Sequence, residues 1–175
     1  MIQVIFPVLL LALLADVRGC VCDPVKPETM DARACSLTHV AVDQTGTAAV
    51  IFQKDSSPTK PNRWLAIPHA LHHTLNEMSP EERNVYWTAA IAKAHELWGE
   101  DWAIAINSLE RRSQCQLHAH IGKLLAEADK SGGILVDGPE AIPVPPDGGS
   151  IWIRPDQGKL RVYSDNPAPE TNIMR

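Results

Sequence analysis

The chain has 175 residues, of which 45% are hydrophobic and 21% charged; this suits one folded domain with a substantial core rather than a disordered chain. Its formal net charge of −5 excludes a general nucleic-acid-binding surface, which needs an excess of lysine and arginine. A local basic pocket for phosphate stays compatible with that balance.

From Ile2 to Ala15 the chain is almost wholly apolar, and Val17-Arg18-Gly19 precedes Cys20. That length suits the apolar core of a secretory signal peptide and is short for a membrane span. Residues 1–19 therefore read as a signal peptide or N-terminal anchor, and 20–175 as a single domain with an extended C-terminal tail. No lysine or arginine precedes the apolar run, which leaves a buried first helix as another reading. Cleavage after Gly19 would put Cys20 first, as in a lipoprotein, although Arg18 stands where such signals carry a small residue. The expected location is secreted or periplasmic, with a membrane surface within reach.

Four cysteines follow: Cys20, Cys22, Cys35 and Cys115. In an oxidising compartment Cys22 and Cys35 can close a short loop that fastens the N-terminal segment to the domain. Zinc is the alternative, but Cys-Val-Cys lacks the usual two-residue ligand spacing and no matching pair follows. Cys115 falls in an expected strand and reads as a small buried hydrophobe.

In chain order, residues 23–34 read as a loop, and 37–42 and 48–53 as strands joined by a turn at Gln44-Thr45-Gly46. Residues 55–62 form a loop, and 63–67 a buried strand stopped by Pro68. Ser79-Pro80-Glu81-Glu82 starts a helix: Ser79 caps, proline fits the first turn, and both acids face the positive end of the dipole. The helix runs to about Trp98, with Gly99 as its stop and Val85, Ala89, Ala92 and Leu97 as its apolar side. Residues 102–107 form the next strand, and 115–124 a third central one after a polar segment. Gly132-Gly133 and a proline-rich crossing (139–146) lead to a hairpin, 150–154 and 159–163, turning near 156–158. Strands with one long inserted helix define an α+β class, an antiparallel sheet with the helix packed on it.

The stretch from Asn107 to Gly122 carries the chemistry. In a strand alternate residues share a face, so Gln116, His118, His120 and Gly122 point one way and Leu117, Ala119 and Ile121 the other. Such a polar row borders a site. The His-x-His pair by itself also allows two hydrogen-bonded histidines of no catalytic role, or two ligands of one zinc ion. The order of strand, Asn107, loop, Ser113-Gln114-Cys115-Gln116, then His118-Ala119-His120-Ile121 resembles the histidine-triad (HIT-like) superfamily. So does Trp64-Leu65-Ala66-Ile67-Pro68 followed by a helix. Within that superfamily the closest resemblance is to the CDP-diacylglycerol pyrophosphatase (diphosphatase) branch. It rests on Ala105-Ile106-Asn107-Ser108, the basic Arg112 before Ser113-Gln114, a His-x-His without a third histidine, and a cysteine pair similar to Cys22 and Cys35. The likeness spans residues 22–125.

The resemblance implies a HIT-like fold and a phosphoanhydride hydrolase that converts CDP-diacylglycerol and water to CMP and phosphatidate. It makes His120 the nucleophile and His118 the phosphate-binding neighbour. Gln114 contacts the phosphate or bridging oxygen, and Asn107 holds nucleotide or phosphate; Gln116 and Gly122 belong to the same substrate face. Ser113 and Arg112 are weaker phosphate candidates, and each polar residue also has a plain reading, as strand-end cap, loop hydrogen bond or solvated charge. A neutral imidazole attacks phosphorus near neutral pH, since its reference pKa is about 6.5. The resulting phosphoramidate is then hydrolysed. The second ring nitrogen needs an acceptor, expected to be a backbone carbonyl, and the scheme needs no metal or other cofactor.

Two positions depart from the superfamily. Gly122 stands where it has a third histidine and the branch a serine, and Arg63 stands where members often have a histidine. Arg63 reads as a phosphate ligand or a surface residue. His69, His72 and His73 cluster after Pro68 at the start of the loop to the helix, where they can line the pocket. The implied partners are a nucleotide conjugate, a lipid among them, and a second copy of the chain, since superfamily members are often homodimers. Two other classes stay open: a non-catalytic exported nucleotide-binding module, and a metal hydrolase using His118, His120 and one of His69, His72 or His73.

Overall fold

The computed structural model describes residues 16–175, and the apolar run of residues 1–15 lies outside the described residues. Val17 is buried and donates its N–H to the Leu109 carbonyl at 3.0 Å, so the end of the segment read as a leader packs on the domain. In chain order the elements are α1 (Pro27–Met30), α2 (Ser36–Asp43), β1 (Val50–Lys54), β2 (Trp64–Pro68), α3 (Pro80–Trp98), β3 (Trp102–Ile106) and β4 (Ala119–Lys123). They continue with β5 (Ile134–Val136), β6 (Ile151–Asp156), β7 (Lys159–Tyr163) and α4 (Glu170–Ile173). The seven strands make one sheet in the order β1-β2-β4-β3-β6-β7-β5, and every pairing is antiparallel. The fold is α+β, as the sequence predicts.

Local chemistry explains the elements that follow the expectation. Ser79 Oγ accepts the Glu82 N–H at 3.1 Å while the Glu82 carboxylate accepts the Ser79 N–H at 2.7 Å, a reciprocal cap that satisfies two otherwise unpaired donors. The hairpin β6–β7 closes through Gln157 and Gly158, both at positive φ (55° and 77°), the backbone a two-residue turn of matching twist requires.

Four expectations are corrected. Residues 37–42 are helical rather than extended. Leu37 and Ala41, one turn apart, bury against Leu65 and Ile67 of β2, and that burial outweighs the strand preference of Val40 and Val42. The buried face of α3 is Tyr86, Trp87, Ala90 and Ala94, while Val85 stays exposed; the two aromatics offer more apolar area than the neighbouring stripe. The strand expected over 115–124 begins only at Ala119, because the Cys115 and Leu117 N–H groups bond Ala34 and His72 carbonyls at 2.8 and 2.7 Å instead of a neighbouring strand. Cys115 is not a lone buried hydrophobe: it pairs with Cys20, alongside the expected Cys22–Cys35 disulfide. The paired Cys20 has no thiol for a lipid. Two disulfides fit an oxidising compartment, and no helix among the described residues is long and apolar enough to cross a membrane.

The sheet has two differently covered faces. Helix α3 packs over one, against Ala66, Ile104, Ala119, Ile121 and Ile153. The other carries two separate covers. Helix α2 lies over Leu65 and Ile67, and Ile173 and Met174 lie against Ala103, Ala105, Trp152 and Tyr163.

Candidate active site

His120 faces the gap between those two covers. It is paired across from Leu65 of β2 and Ala105 of β3, and cross-strand partners share a face. The gap opens into a cavity of about 560 Å³ lined by Asn107, Ser113, Gln114, His118, His120 and Glu170, among others. Arg33, Lys60, Arg111 and Arg112 also line it, against the carboxylates of Asp55 and Glu170, so a cationic pocket exists within an acidic chain. The structure thus brings together five of the seven residues assigned to catalysis or phosphate binding, and leaves out Gln116 and Gly122.

The imidazoles of His118 and His120 sit edge to face with ring centroids 5.0 Å apart. His118 Nδ1 lies 2.9 Å from the Gln116 carbonyl, which accepts its N–H and leaves a lone pair on Nε2. Burial pushes the His118 pKa down to about 4, against the Gln116 hydrogen bond and with help from the Arg112 charge. Burial likewise lowers His120 to about 3, opposed by the nearby Glu170 carboxylate. Both rings are therefore neutral near pH 7, and His120 has the protonation state a nucleophile needs. The carbonyl expected behind His120 stands behind His118 instead. His120 Nδ1 has no hydrogen-bond partner among the described residues, and Glu170 Oε2 stands 3.7 Å from it.

Glu170, which sequence reasoning missed, is the centre of an ion cluster. Its carboxylate accepts from Lys60 Nζ at 2.8 and 3.0 Å and from the Arg63 guanidinium. Burial would raise its pKa, but His120, Lys60 and Arg63 together hold it near 2. Arg63 is neither a phosphate ligand nor a surface residue. It is 5% exposed and also donates to the carbonyls of Glu170 and Met174, so it fastens the tail segment to the sheet.

The other assigned residues divide by what their polar atoms already bond. Gln114 borders the cavity, but its Oε1 accepts from Ser36 Oγ at 2.7 Å and Leu37 N at 3.2 Å, and its Nε2 donates to the Arg33 carbonyl. It anchors the start of α2. Gln116 donates to the Pro68 and Ala70 carbonyls, each at 2.9 Å, and accepts the His72 N–H; with no strand at 115–118, it turns to the loop after β2 and away from the cavity. Gly122 lies under the tail. A Cβ there would stand 2.9 Å from the Arg175 carbonyl oxygen and 3.0 Å from Met174 Sδ, so the close approach of another backbone accounts for the glycine. Asn107 keeps a buried Oδ1 with no partner among the described residues, and Ser113 sits exposed on the rim.

Arg112 is not a solvated charge. It is 2% exposed, donates to the His73 carbonyl, and has no carboxylate partner among the described residues, where its Nε and Nη1 are also unpaired. Burial lowers its pKa to about 10, which still leaves it charged and adds positive potential behind His118. His69 and His72 line an apolar groove of about 490 Å³ with Val50, Met78, Val85 and Tyr86, and His73 sits in a neighbouring crevice. None of the three lines the cavity of His118 and His120, so they supply no third ligand to that pair. The chain matches no protein-family model and no curated protein.

Proposed function

We propose that the chain is a phosphoanhydride hydrolase of nucleoside diphosphate conjugates, with His120 as nucleophile and CDP-diacylglycerol as favoured substrate. One observation carries the reading: a neutral, cavity-lining imidazole on a central strand, set among Arg33, Lys60, Arg111 and Arg112. Its volume falls in the range of small-molecule sites, roughly 300–1,000 Å³.

In this reaction His120 Nε2 bonds to the phosphorus of the nucleotide, and the anhydride P–O bond breaks with its electron pair leaving on phosphatidate. Water then attacks the same phosphorus and gives up one proton to solvent, the P–N bond breaks with its electrons returning to Nε2, and CMP is released. The cations stabilise charge that builds on the equatorial oxygens. An anionic phosphate beside His118 favours protonation of its Nε2, after which that nitrogen donates to the phosphate. The lipid half of the reading rests on the sequence resemblance. The apolar groove shares no lining residue with the His120 cavity, so acyl chains leave through the mouth toward a membrane surface.

The test is a panel of nucleoside diphosphate conjugates, CDP-diacylglycerol included, with and without a chelator. Expected are CMP release insensitive to chelation, its loss in His120→Ala, and a phosphorus–nitrogen adduct mapped to His120 by mass spectrometry. An adduct on His118 would reassign the nucleophile; nucleotide binding without turnover would leave the binding-module reading, and loss on chelation would point to a metal held by ligands other than His69, His72 and His73.

A further inference from the structure

The assignment of His120 as nucleophile leaves its second ring nitrogen to be explained. Attack through Nε2 requires the proton on Nδ1, and that atom is buried without a hydrogen bond among the described residues. A buried N–H left unpaired is costly, because it has lost its water without gaining a protein acceptor. The charged and titratable groups facing the ring are Glu170 from α4, Lys60 and Arg63 from the segment leading into β2, and His118 before β4. Only Glu170 among them offers an anionic acceptor, and its Oε2 is the atom 3.7 Å from Nδ1.

We propose that Glu170 is the positioning residue of His120: its carboxylate holds the Nδ1–H form of the ring and balances the positive charge the ring acquires when Nε2 bonds phosphorus. This rests on the hydrolase reading above. The present separation is an ion-pair distance, about 0.8 Å beyond a hydrogen bond, and such contacts tighten when the ring becomes cationic. In the step itself Nε2–P forms, the anhydride P–O bond breaks, and Nδ1 keeps its proton throughout. Glu170 takes no proton, because Lys60 and Arg63 hold it as the carboxylate.

The tail is what delivers this carboxylate. Residues 123 and 175 exchange backbone hydrogen bonds at 2.9 and 3.0 Å, Leu125 N–H donates to the Ile173 carbonyl, and Arg63 clasps the carbonyls of Glu170 and Met174. Upstream of the acid the Ser108 N–H donates to the Pro167 carbonyl at 3.0 Å, so the segment is tied down on both sides and Glu170 is fixed relative to the strand that carries His120.

Two variants and two readouts test the inference. Glu170→Gln keeps the shape and an acceptor oxygen but removes the charge. It should lower kcat roughly 10- to 100-fold with KM little changed, and Glu170→Asp should recover part of the loss. Arg63→Met/Glu170→Ala removes the acceptor together with the cation it would otherwise leave unpaired. In long-range proton–nitrogen NMR spectra of the resting protein, His120 should show the Nδ1–H form in wild type and a tautomer mixture in that double variant. Wild-type kcat in Glu170→Gln, or one tautomer in both proteins, would overturn the role of Glu170. The NMR readout needs no substrate, so failure of turnover in wild type would count against the hydrolase reading alone.

Discussion

Gly122→Ser separates two accounts of the same position. If residue 122 faced the substrate, serine would restore a side-chain donor and raise activity. The structure places it under Met174 and Arg175 instead. A new Cβ would sit 2.9 Å from the Arg175 carbonyl oxygen, 3.0 Å from Met174 Sδ and 3.1 Å from Met174 Cβ. The first of these is backbone, hydrogen-bonded to the Lys123 N–H at 2.9 Å, so it cannot rotate aside. Overpacking of this kind costs about 1–3 kcal/mol. For a domain of this size each kcal/mol shifts Tm by about 2–4 °C, which gives a fall of about 2–12 °C. Because the displaced segment carries Glu170, hydrolysis should fall as well. Thermal unfolding followed by circular dichroism, paired with CMP release, measures both. A wild-type Tm with faster hydrolysis in Gly122→Ser would refute the packing account.

The two disulfides should differ in weight. Cys20–Cys115 has a sequence separation of 95 and Cys22–Cys35 one of 13, so chain-entropy arguments assign them about 4.7 and 3 kcal/mol. Cys20→Ser/Cys115→Ser should therefore lower the urea midpoint more than Cys22→Ser/Cys35→Ser; the reverse order would show that loop closure is not the main contribution. Acid should destabilise the fold. His118 and His120 sit at about 4 and 3 in place of 6.5, so between those limits the unfolded chain binds protons that the folded chain does not. Stability from these groups is full above 6.5 and falls as pH drops toward 3, by an amount on the order of a few kcal/mol. Glu170, at about 2 in place of 4.5, acts in the same direction: its contribution is present above 4.5 and lost as pH falls through 2. A urea midpoint that held constant from about pH 6.5 to about pH 4 would contradict the burial of both histidines.

The elements legible from sequence are those whose hydrogen bonds close within a few residues. The α3 start is written in Ser79 and Glu82, three positions apart, and the β6–β7 turn in Gln157-Gly158. The alternation of Ala119, His120 and Ile121 already sets the imidazole on the face opposite the apolar pair. Alternation misplaces Gln116 because it presumes a strand, and the segment before Ala119 bonds its backbone to Ala34 and His72. Residues 37–42 are misjudged for a related reason: what decides them is Leu65 and Ile67, which they meet only after the sheet forms.

The sequence by itself determines the antiparallel α+β plan, the long capped helix, the hairpin, and the His120 imidazole on the strand face opposite Ala119 and Ile121. Tertiary structure alone decides the Cys20–Cys115 bridge, the burial of Arg112, the packing over Gly122, and the meeting of His120 with Glu170, Arg63 and Lys60. Local torsions and short-range hydrogen bonds are encoded where they act. An ion cluster assembled from the segment before β2, β4 and α4 depends instead on where the whole chain returns, and no window of neighbouring residues contains that information.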